Sequence, residues 1–140
     1  MGDEDAPCSA CHEPPPSLLL EGVAQFNRGE YFEQHETLEL LWRAEARHVR
    51  RLYQGILQIG VAFHHLRRKN HHGAVYMLTR GARYLAPFAP WCQSVDVEAL
   101  LADAAAALRE VERLGKDRLG EFDWTLAPTV RLHPPRVDEE

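Results

Sequence analysis

The sequence has no apolar run long enough to cross a bilayer, no excess of positive charge and only three cysteines. A transmembrane helix needs about 20 mostly apolar residues in succession, so we expect no membrane partner. The net charge of −5 argues against a protein whose affinity comes from neutralising phosphates, so we expect no nucleic-acid partner. The first residues are acidic and carry no secretion signal, which favours a cytoplasmic location.

The cysteines at the start of the chain need a separate interpretation. Thiols stay reduced in the cytosol, so three cysteines there argue against a disulfide framework. The pattern Cys8-x-x-Cys11-His12 matches the c-type haem attachment signature, but that attachment requires export. Zinc would need a fourth ligand, and no second cysteine pair is present. We therefore predict a flexible tail with two free thiols, and metal binding by Cys8, Cys11 and His12 is the alternative.

The remaining sequence is typical of one helical domain. Apolar residues make up 45% of the 140 residues, which is enough for a single core. Capping and stop signals predict five helices at about residues 18–27, 30–46, 48–69, 71–86 and 97–114. Short connections favour antiparallel neighbours. We predict an all-α fold with a tail at residues 1–16, a bundle at 17–115 and an extended C-terminal arm at 116–140.

The second predicted helix places polar residues next to apolar ones. On a helical wheel, Tyr31, Leu38 and Trp42 share a narrow arc. His35 lies about 40° and Glu39 about 80° from Tyr31, on the shoulder of that arc. These two residues are four apart and can touch. The pair therefore lies at the predicted edge of the core.

Two interpretations of this helix stay open. His35, Glu36 and Glu39 form His-Glu-x-x-Glu, which resembles the zincin spacing with Glu in place of the second histidine. The functional interpretation is a metal or acid–base site. The other is a structural His–Glu pair that is hydrogen-bonded at the edge of the core. Glu33 and Thr37 are predicted to point to solvent.

The third predicted helix is the most apolar and should be central. Between Leu52 and Leu66 there is no charged residue. The wheel places three of its polar residues on a solvent stripe, namely Gln54, Gln58 and His65. His64 instead lies on the apolar flank, where a buried histidine needs a hydrogen-bond partner.

We therefore predict one polar cluster between the second and third helices. Its centre is His35, Glu39 and His64, because each of these groups would cost about 1–3 kcal/mol if buried without a partner. Glu36 and Gln54 lie at its rim, and the supporting residues are Tyr31, Trp42 and Asn70. If the cluster binds a metal ion, the three central residues are the candidate ligands.

A second copy of the chain is the partner that the sequence suggests. The alanines at 104–107 suit close helix packing, within the chain or across a homodimer. Trp91 and Trp124 are predicted to lie in a loop and in the arm, where they could seal the bundle or meet a second subunit. No ligand follows from these residues.

The combined motif resembles that of domain of unknown function family 309. The residues that carry the resemblance are Gly29-x-Tyr31-x-Glu33-x-His35-Glu36-x-Leu38-Glu39-x-x-Trp42, Gln54-Gly55, Val61-Ala62-x-His64 and Asn70-x-x-Gly73-Ala74. The resemblance covers about residues 18–114. It implies a small helical bundle in which the His, Glu and Trp of the second helix face the Gln and His of the third. It implies no established activity, and the first 16 residues and the doubled His65 depart from the pattern.

Two functions compete at this point. The first is a binding or scaffold module in which the His/Glu cluster is structural. The second is a metal-binding protein or hydrolase-like enzyme that uses His35, Glu36, Glu39 and His64. A cluster open to a cleft would favour chemistry, and a sealed cluster would favour structure.

Overall fold

The computed structural model describes residues 8–133, most of which lie in five α-helices. These are Ser17–Asn27 (α1), Tyr31–Ala44 (α2), Arg50–Arg67 (α3), His71–Leu85 (α4) and Val97–Leu114 (α5). Two short strands, Trp91–Cys92 (β1) and Val95–Asp96 (β2), form an antiparallel hairpin between α4 and α5. The predicted all-α bundle of five helices is confirmed, and the hairpin lies in a segment that the sequence predicted as a loop.

Local signals explain where the helices begin and end. The side chain of Asn70 accepts a hydrogen bond from the Gly73 N–H at 2.9 Å and so caps α4. Asp96 caps α5 through the Ala99 N–H at 2.9 Å. Gly29 follows α1 with φ of +78°, a conformation that glycine adopts without a steric penalty.

The third helix lies at the centre of the bundle, packed against α2 on one side and α4 on the other. Its contact with α4 brings two backbones close together. A Cβ at Gly55 would lie 3.2 Å from the Gly81 carbonyl oxygen, and one at Gly81 would lie 3.1 Å from the Gly55 carbonyl oxygen. Both positions therefore require glycine, because a side chain would separate the helices.

The hairpin is joined covalently to the N-terminal segment. Cys11 and Cys92 form a disulfide across a sequence separation of 81 residues, and both residues are buried. The predicted pair of free thiols in the tail is therefore wrong, since within residues 8–133 only Cys8 is free. The prediction rested on spacing and compartment, and neither reveals that the fold brings Cys92 to Cys11.

Residues 8–16 pack on the bundle through more than the disulfide. They contain a 3₁₀ turn, Ser9–His12, in which Ala10 is only 2% exposed. Glu13 beyond the turn forms a two-bond ion pair with Arg47, at 2.8 and 3.1 Å. This part of the predicted flexible tail is thus docked, while the part on residues 1–7 lies outside the described residues.

A fully buried glutamine joins three segments at this place. Gln93 is 1% exposed, accepts a hydrogen bond from the Tyr53 hydroxyl at 2.8 Å and donates one to the Ala10 carbonyl at 3.2 Å. Burial raises the pKa of Tyr53 to about 12, against a smaller lowering by Gln93. Gln93 and Ser94 form the two-residue hairpin turn, with φ of +47° and +71°, which is the backbone pattern of a type I′ turn.

The segment after α5 packs back along the molecule. It contains the 3₁₀ turns Leu119–Glu121 and Trp124–Leu126. The Asn27 side chain, at the end of α1, exchanges hydrogen bonds of 3.0 and 2.7 Å with the Val130 backbone. Leu132 then forms a bridge to Val95 in the hairpin.

Within residues 8–133, none of the helices combines the length and the apolar character that crossing a membrane requires.

Candidate functional site

The buried face of α2 is centred on a residue that the sequence analysis missed. Gln34 is 0% exposed and donates a hydrogen bond from Nε2 to the Leu57 carbonyl at 3.1 Å. A Cβ at Gly60 would lie only 2.6 Å from Cδ of Gln34, so the glycine makes room for the amide. Gln34 lies about 60° from Tyr31 on the wheel, between Leu38 and Leu41. That position between two apolar residues was the signal in the sequence from which the burial of Gln34 could have been predicted.

The buried face of α2 is thus rotated toward Gln34 relative to the predicted one. This rotation corrects the predicted orientation of Thr37 and explains the exposure of His35 and Glu39. Thr37 was predicted to point to solvent, but it is 8% exposed and packs inward. His35 and Glu39 lie correspondingly farther from the core, and their side chains are 40% and 32% exposed. Their closest N–O distance is 4.0 Å. Glu39 is closer to Arg43, at 2.8 Å, and Glu36 is exposed.

The structure places His64 with rings rather than with carboxylates. It is half-buried, and its ring centroid lies 6.2 Å from that of Phe32 and 6.2 Å from that of His65. Within residues 8–133, no hydrogen bond or ion pair joins His64 to His35 or Glu39. All three side chains are partly exposed. Water can therefore satisfy their polar atoms, and burial does not force them together.

The geometry of these residues bears on metal chemistry. In the part of the chain that the structure describes, no three His, Cys, Asp or Glu side chains are grouped so that they could hold a metal ion. Of the three candidate ligands, only His35 and Glu39 lie near each other, and His64 does not contact either of them there. A structural or catalytic role for the pair stays a prediction.

The three supporting residues have separate surroundings. Tyr31 is buried, and the Arg67 guanidinium lies 4.7 Å from its ring centroid. Burial raises the pKa of Tyr31, and the Arg67 charge opposes this. Trp42 is half-buried, with Arg43 5.4 Å from its ring centroid. Asn70 caps α4 and also contacts Nδ1 of His65 at 3.3 Å.

One face of α3 remains partly open between its neighbours. Its half-buried residues recur every three or four positions, and we call them the α3 strip: Arg51, Gln54, Gln58, Val61 and His65. Gln54 accepts a hydrogen bond from Arg51 at 2.9 Å. The Oε1 atom of Gln58 is buried without a hydrogen-bond partner in the described structure. The strip is thus a polar surface on the central helix, as the sequence predicted.

The α4 side of the strip is basic and aromatic. Arg80 donates hydrogen bonds to the hydroxyl groups of Tyr76 at 2.7 Å and Tyr84 at 3.0 Å. The guanidinium carbon of Arg51 lies 4.9 Å from the Tyr84 ring centroid, and that of Arg80 lies 5.4 Å from it. Burial acts to raise the pKa of Tyr84, but the Arg80 hydrogen bond and the charges of Arg80 and Arg51 outweigh it and lower that pKa.

Neither of these two arginines has a carboxylate partner among the residues that the structure describes. Within residues 8–133, the ion pairs of the chain involve neither Arg51 nor Arg80. Two guanidinium groups near one phenol ring repel each other, and an anion that contacted both would relieve the repulsion. Arginine forks match carboxylate and phosphate oxygens in a bidentate geometry. The arrangement is therefore suited to anion binding.

The fold and this surface define a small all-α bundle with an open polar face on its central helix. Residues 19–77 match the model of DUF309, a domain of unknown function, which confirms the resemblance over that part of the chain. The match spans α1 to α3 and about half of α4, a shorter part than the residues 18–114 expected from the motif.

A relative of known sequence agrees with this match. The chain is 33% identical over 72 residues to the uncharacterized protein YpuF of Bacillus subtilis (strain 168). The similar part is 50% of this chain and 41% of that protein, so the chain spans less than half the length of its relative. The protein is thus a small helical protein in which residues 19–77 match the DUF309 domain.

Proposed function

We propose that this protein is a binding module whose ligand carries an anionic group, held by Arg51 and Arg80 beside the α3 strip. The observation that supports the proposal is a pair of guanidinium groups, one on α3 and one on α4, that both lie close to the ring of Tyr84. Neither has a carboxylate partner among the described residues. The phenol groups of Tyr76 and Tyr84 already orient Arg80. An oriented guanidinium loses less conformational freedom when it binds an anion.

The strip supplies polar groups next to this anion site. Gln54 lies beside Arg51 and offers an amide N–H₂ that can donate to a ligand oxygen. His65 lies about three helical turns beyond Gln54 on the same face. A ligand with one anionic end and a polar body therefore fits the strip better than a purely apolar one. In this binding module, we take His35 and Glu39 to be a structural pair and not a catalytic one.

Within residues 8–133, His35, Glu39 and His64 do not converge, so they do not support the alternative of a metal-binding protein or hydrolase-like enzyme. The cytoplasmic location and the homodimer expected from the sequence remain proposals. Phe32 and Leu40 on α2, 54% and 64% exposed, are the most exposed large apolar side chains within residues 8–133 and could contact a second copy. Sedimentation equilibrium checks the homodimer, and a monomer at every concentration would contradict it.

The anion site can be tested with inorganic phosphate as the probe. A nuclear magnetic resonance titration at constant ionic strength should shift the side-chain N–H signals of Arg51 and Arg80 along saturable curves. The Arg51→Gln variant should bind phosphate at least about tenfold more weakly, since a charged hydrogen bond contributes about 1.5–3 kcal/mol.

The matched control is Arg109→Gln, which removes an exposed arginine of α5. It should leave the phosphate affinity unchanged. Equal affinities in the parent and in Arg51→Gln would refute the proposal. Binding of a single-stranded oligonucleotide at physiological salt would contradict the expectation that nucleic acid is no partner.

A further inference from the structure

The free thiol of Cys8 lies one turn before a buried disulfide. The Cys11 N–H donates a hydrogen bond to the Cys8 carbonyl at 3.0 Å, so residues 8–11 form a single turn. The Cα atoms that begin and end such a turn are less than about 7 Å apart. A disulfide spans Cα atoms about 4.4–6.8 Å apart. The turn therefore brings the Cα atoms of Cys8 and Cys11 to about the separation that a disulfide between them needs.

The three sulfur atoms differ in their access to solvent. Cys92 is 0% exposed and Cys11 is 4% exposed, so a dissolved thiol cannot readily reach either sulfur of their disulfide. Cys8 is half-buried, packs against the core and begins the turn that Cys11 ends. A thiol fixed next to a disulfide acts at a far higher effective concentration than a thiol in solution.

We propose that Cys8 is the nucleophile of an intramolecular thiol–disulfide exchange with the Cys11–Cys92 bond. The Cys8 thiol loses its proton to solvent, and its Sγ attacks the Sγ of Cys11. The bond from Cys11 to Cys92 breaks, its electron pair leaves on the Cys92 Sγ, and Cys92 takes up a proton. One disulfide and one thiol are present before and after, so the exchange needs no oxidant or reductant.

The exchange changes how the N-terminal segment is held. A Cys8–Cys11 bond lies within one turn and no longer ties that segment to the hairpin. The contacts that remain are the Gln93 hydrogen bonds to the carbonyls of Cys11 and Ala10, at 2.8 and 3.2 Å, and the ion pair of Glu13 with Arg47. These contacts keep Cys92 close to Cys11, so the exchange is reversible. It also moves the disulfide from a sealed position to one that dissolved thiols can reach.

A disulfide map of the full chain tests this proposal. The oxidised protein is incubated in native buffer at pH 8, quenched with acid and digested with pepsin, and the linked peptides are identified by mass spectrometry. We expect two linkages, Cys11–Cys92 and Cys8–Cys11. In the Cys8→Ser variant only the first should be found, and its loss to reduced glutathione should be at least about tenfold slower than in the parent.

Two controls make the outcome decisive. Protein incubated in guanidinium chloride shows that the Cys8–Cys11 peptide is detectable when all three sulfurs can meet. Circular dichroism verifies that Cys8→Ser is folded. If the native parent shows only Cys11–Cys92 while the denatured parent shows both linkages, Cys8 is not the nucleophile. Equal rates of reduction in the parent and in Cys8→Ser would overturn the proposal as well.

Discussion

Within residues 8–133 two glutamines, Gln34 and Gln93, are almost completely buried, and their surroundings differ. Gln34 lies in the contact between α2 and α3, where Nε2 has one hydrogen bond and Oε1 is buried without a partner. Gln93 lies in the hairpin turn, where both ends of its amide are bonded, to Tyr53 and to Ala10. The first residue is one part of a broad helix contact. The second connects three segments, namely the N-terminal turn, α3 and the hairpin.

The difference shows how each region is stabilised. In the α2–α3 region apolar side chains surround Gln34, so the amide fills space and its missing hydrogen bond is a tolerated cost. Around Gln93 the segments are short, and specific bonds add to the apolar contacts of Ala10 and Cys92: the disulfide, the Gln93 amide and the Glu13–Arg47 pair. Loss of one polar group should therefore matter more in the hairpin region than between the helices.

The largest expected effect comes from removing the disulfide. Closing a loop of 81 residues restricts the unfolded chain, and Cys92→Ala should lower the free energy of unfolding by about 4 kcal/mol. The matched control is Cys8→Ala, which should cost less than about 1 kcal/mol because no covalent bond is lost. Urea unfolding measures both variants. Equal losses would show that the disulfide contributes no more than ordinary packing.

The same substitution at both glutamines tests the comparison directly. Gln93→Met leaves the Tyr53 hydroxyl and the Ala10 carbonyl without partners and should cost about 2–3 kcal/mol. Gln34→Met removes the Nε2 hydrogen bond to the Leu57 carbonyl but also an unsatisfied buried oxygen, at similar volume, so stability should change by less than about 1 kcal/mol. Both are measured by urea unfolding. A larger loss at position 34 than at position 93 would reverse the comparison.

The tight contact at Gly60 can be tested with a double-mutant cycle. Gly60→Ala places a methyl group against the Gln34 amide and should cost about 2 kcal/mol, since overpacking a filled site costs about 1–3 kcal/mol. Gln34→Ala shortens that side chain, so the double variant should lose less than the sum of the two single losses. Strict additivity in chemical unfolding would show that the two residues do not compete for the same space.

The smallest expected effect is a pH dependence at His65. Burial first, and then the charges of His64 and Arg68, lower the pKa of His65 below its usual 6.5. The unfolded chain then binds more protons than the folded one between these two pKa values, so stability is retained above about pH 6.5 and decreases as the pH falls below it. His65→Gln should reduce the loss of stability between pH 7.5 and 5.5. An unchanged pH slope would show that His65 titrates normally.

The fold class was predictable because its signals are local. Asn70, Asp96 and Gly29 lie at the helix ends where capping chemistry requires them, and the uncharged stretch from Leu52 to Leu66 marks the central helix. The face of each helix was less predictable. Gln34 is polar in sequence but lies at the centre of the buried side of α2, and Thr37 follows it inward. A wheel weighted by apolar residues alone therefore placed His35 and Glu39 too close to the core.

The sequence by itself determined the five helices, their ends and the central position of α3, because caps, glycines and apolar periodicity act over a few residues. Only the tertiary structure decided which distant groups meet. It joins Cys11 to Cys92, binds Gln93 to Tyr53, and brings Arg51 of α3 and Arg80 of α4 to one tyrosine ring. These contacts depend on how helices cross and where loops dock. No local spacing records that geometry, because residues far apart in the chain are brought together by packing of the whole core.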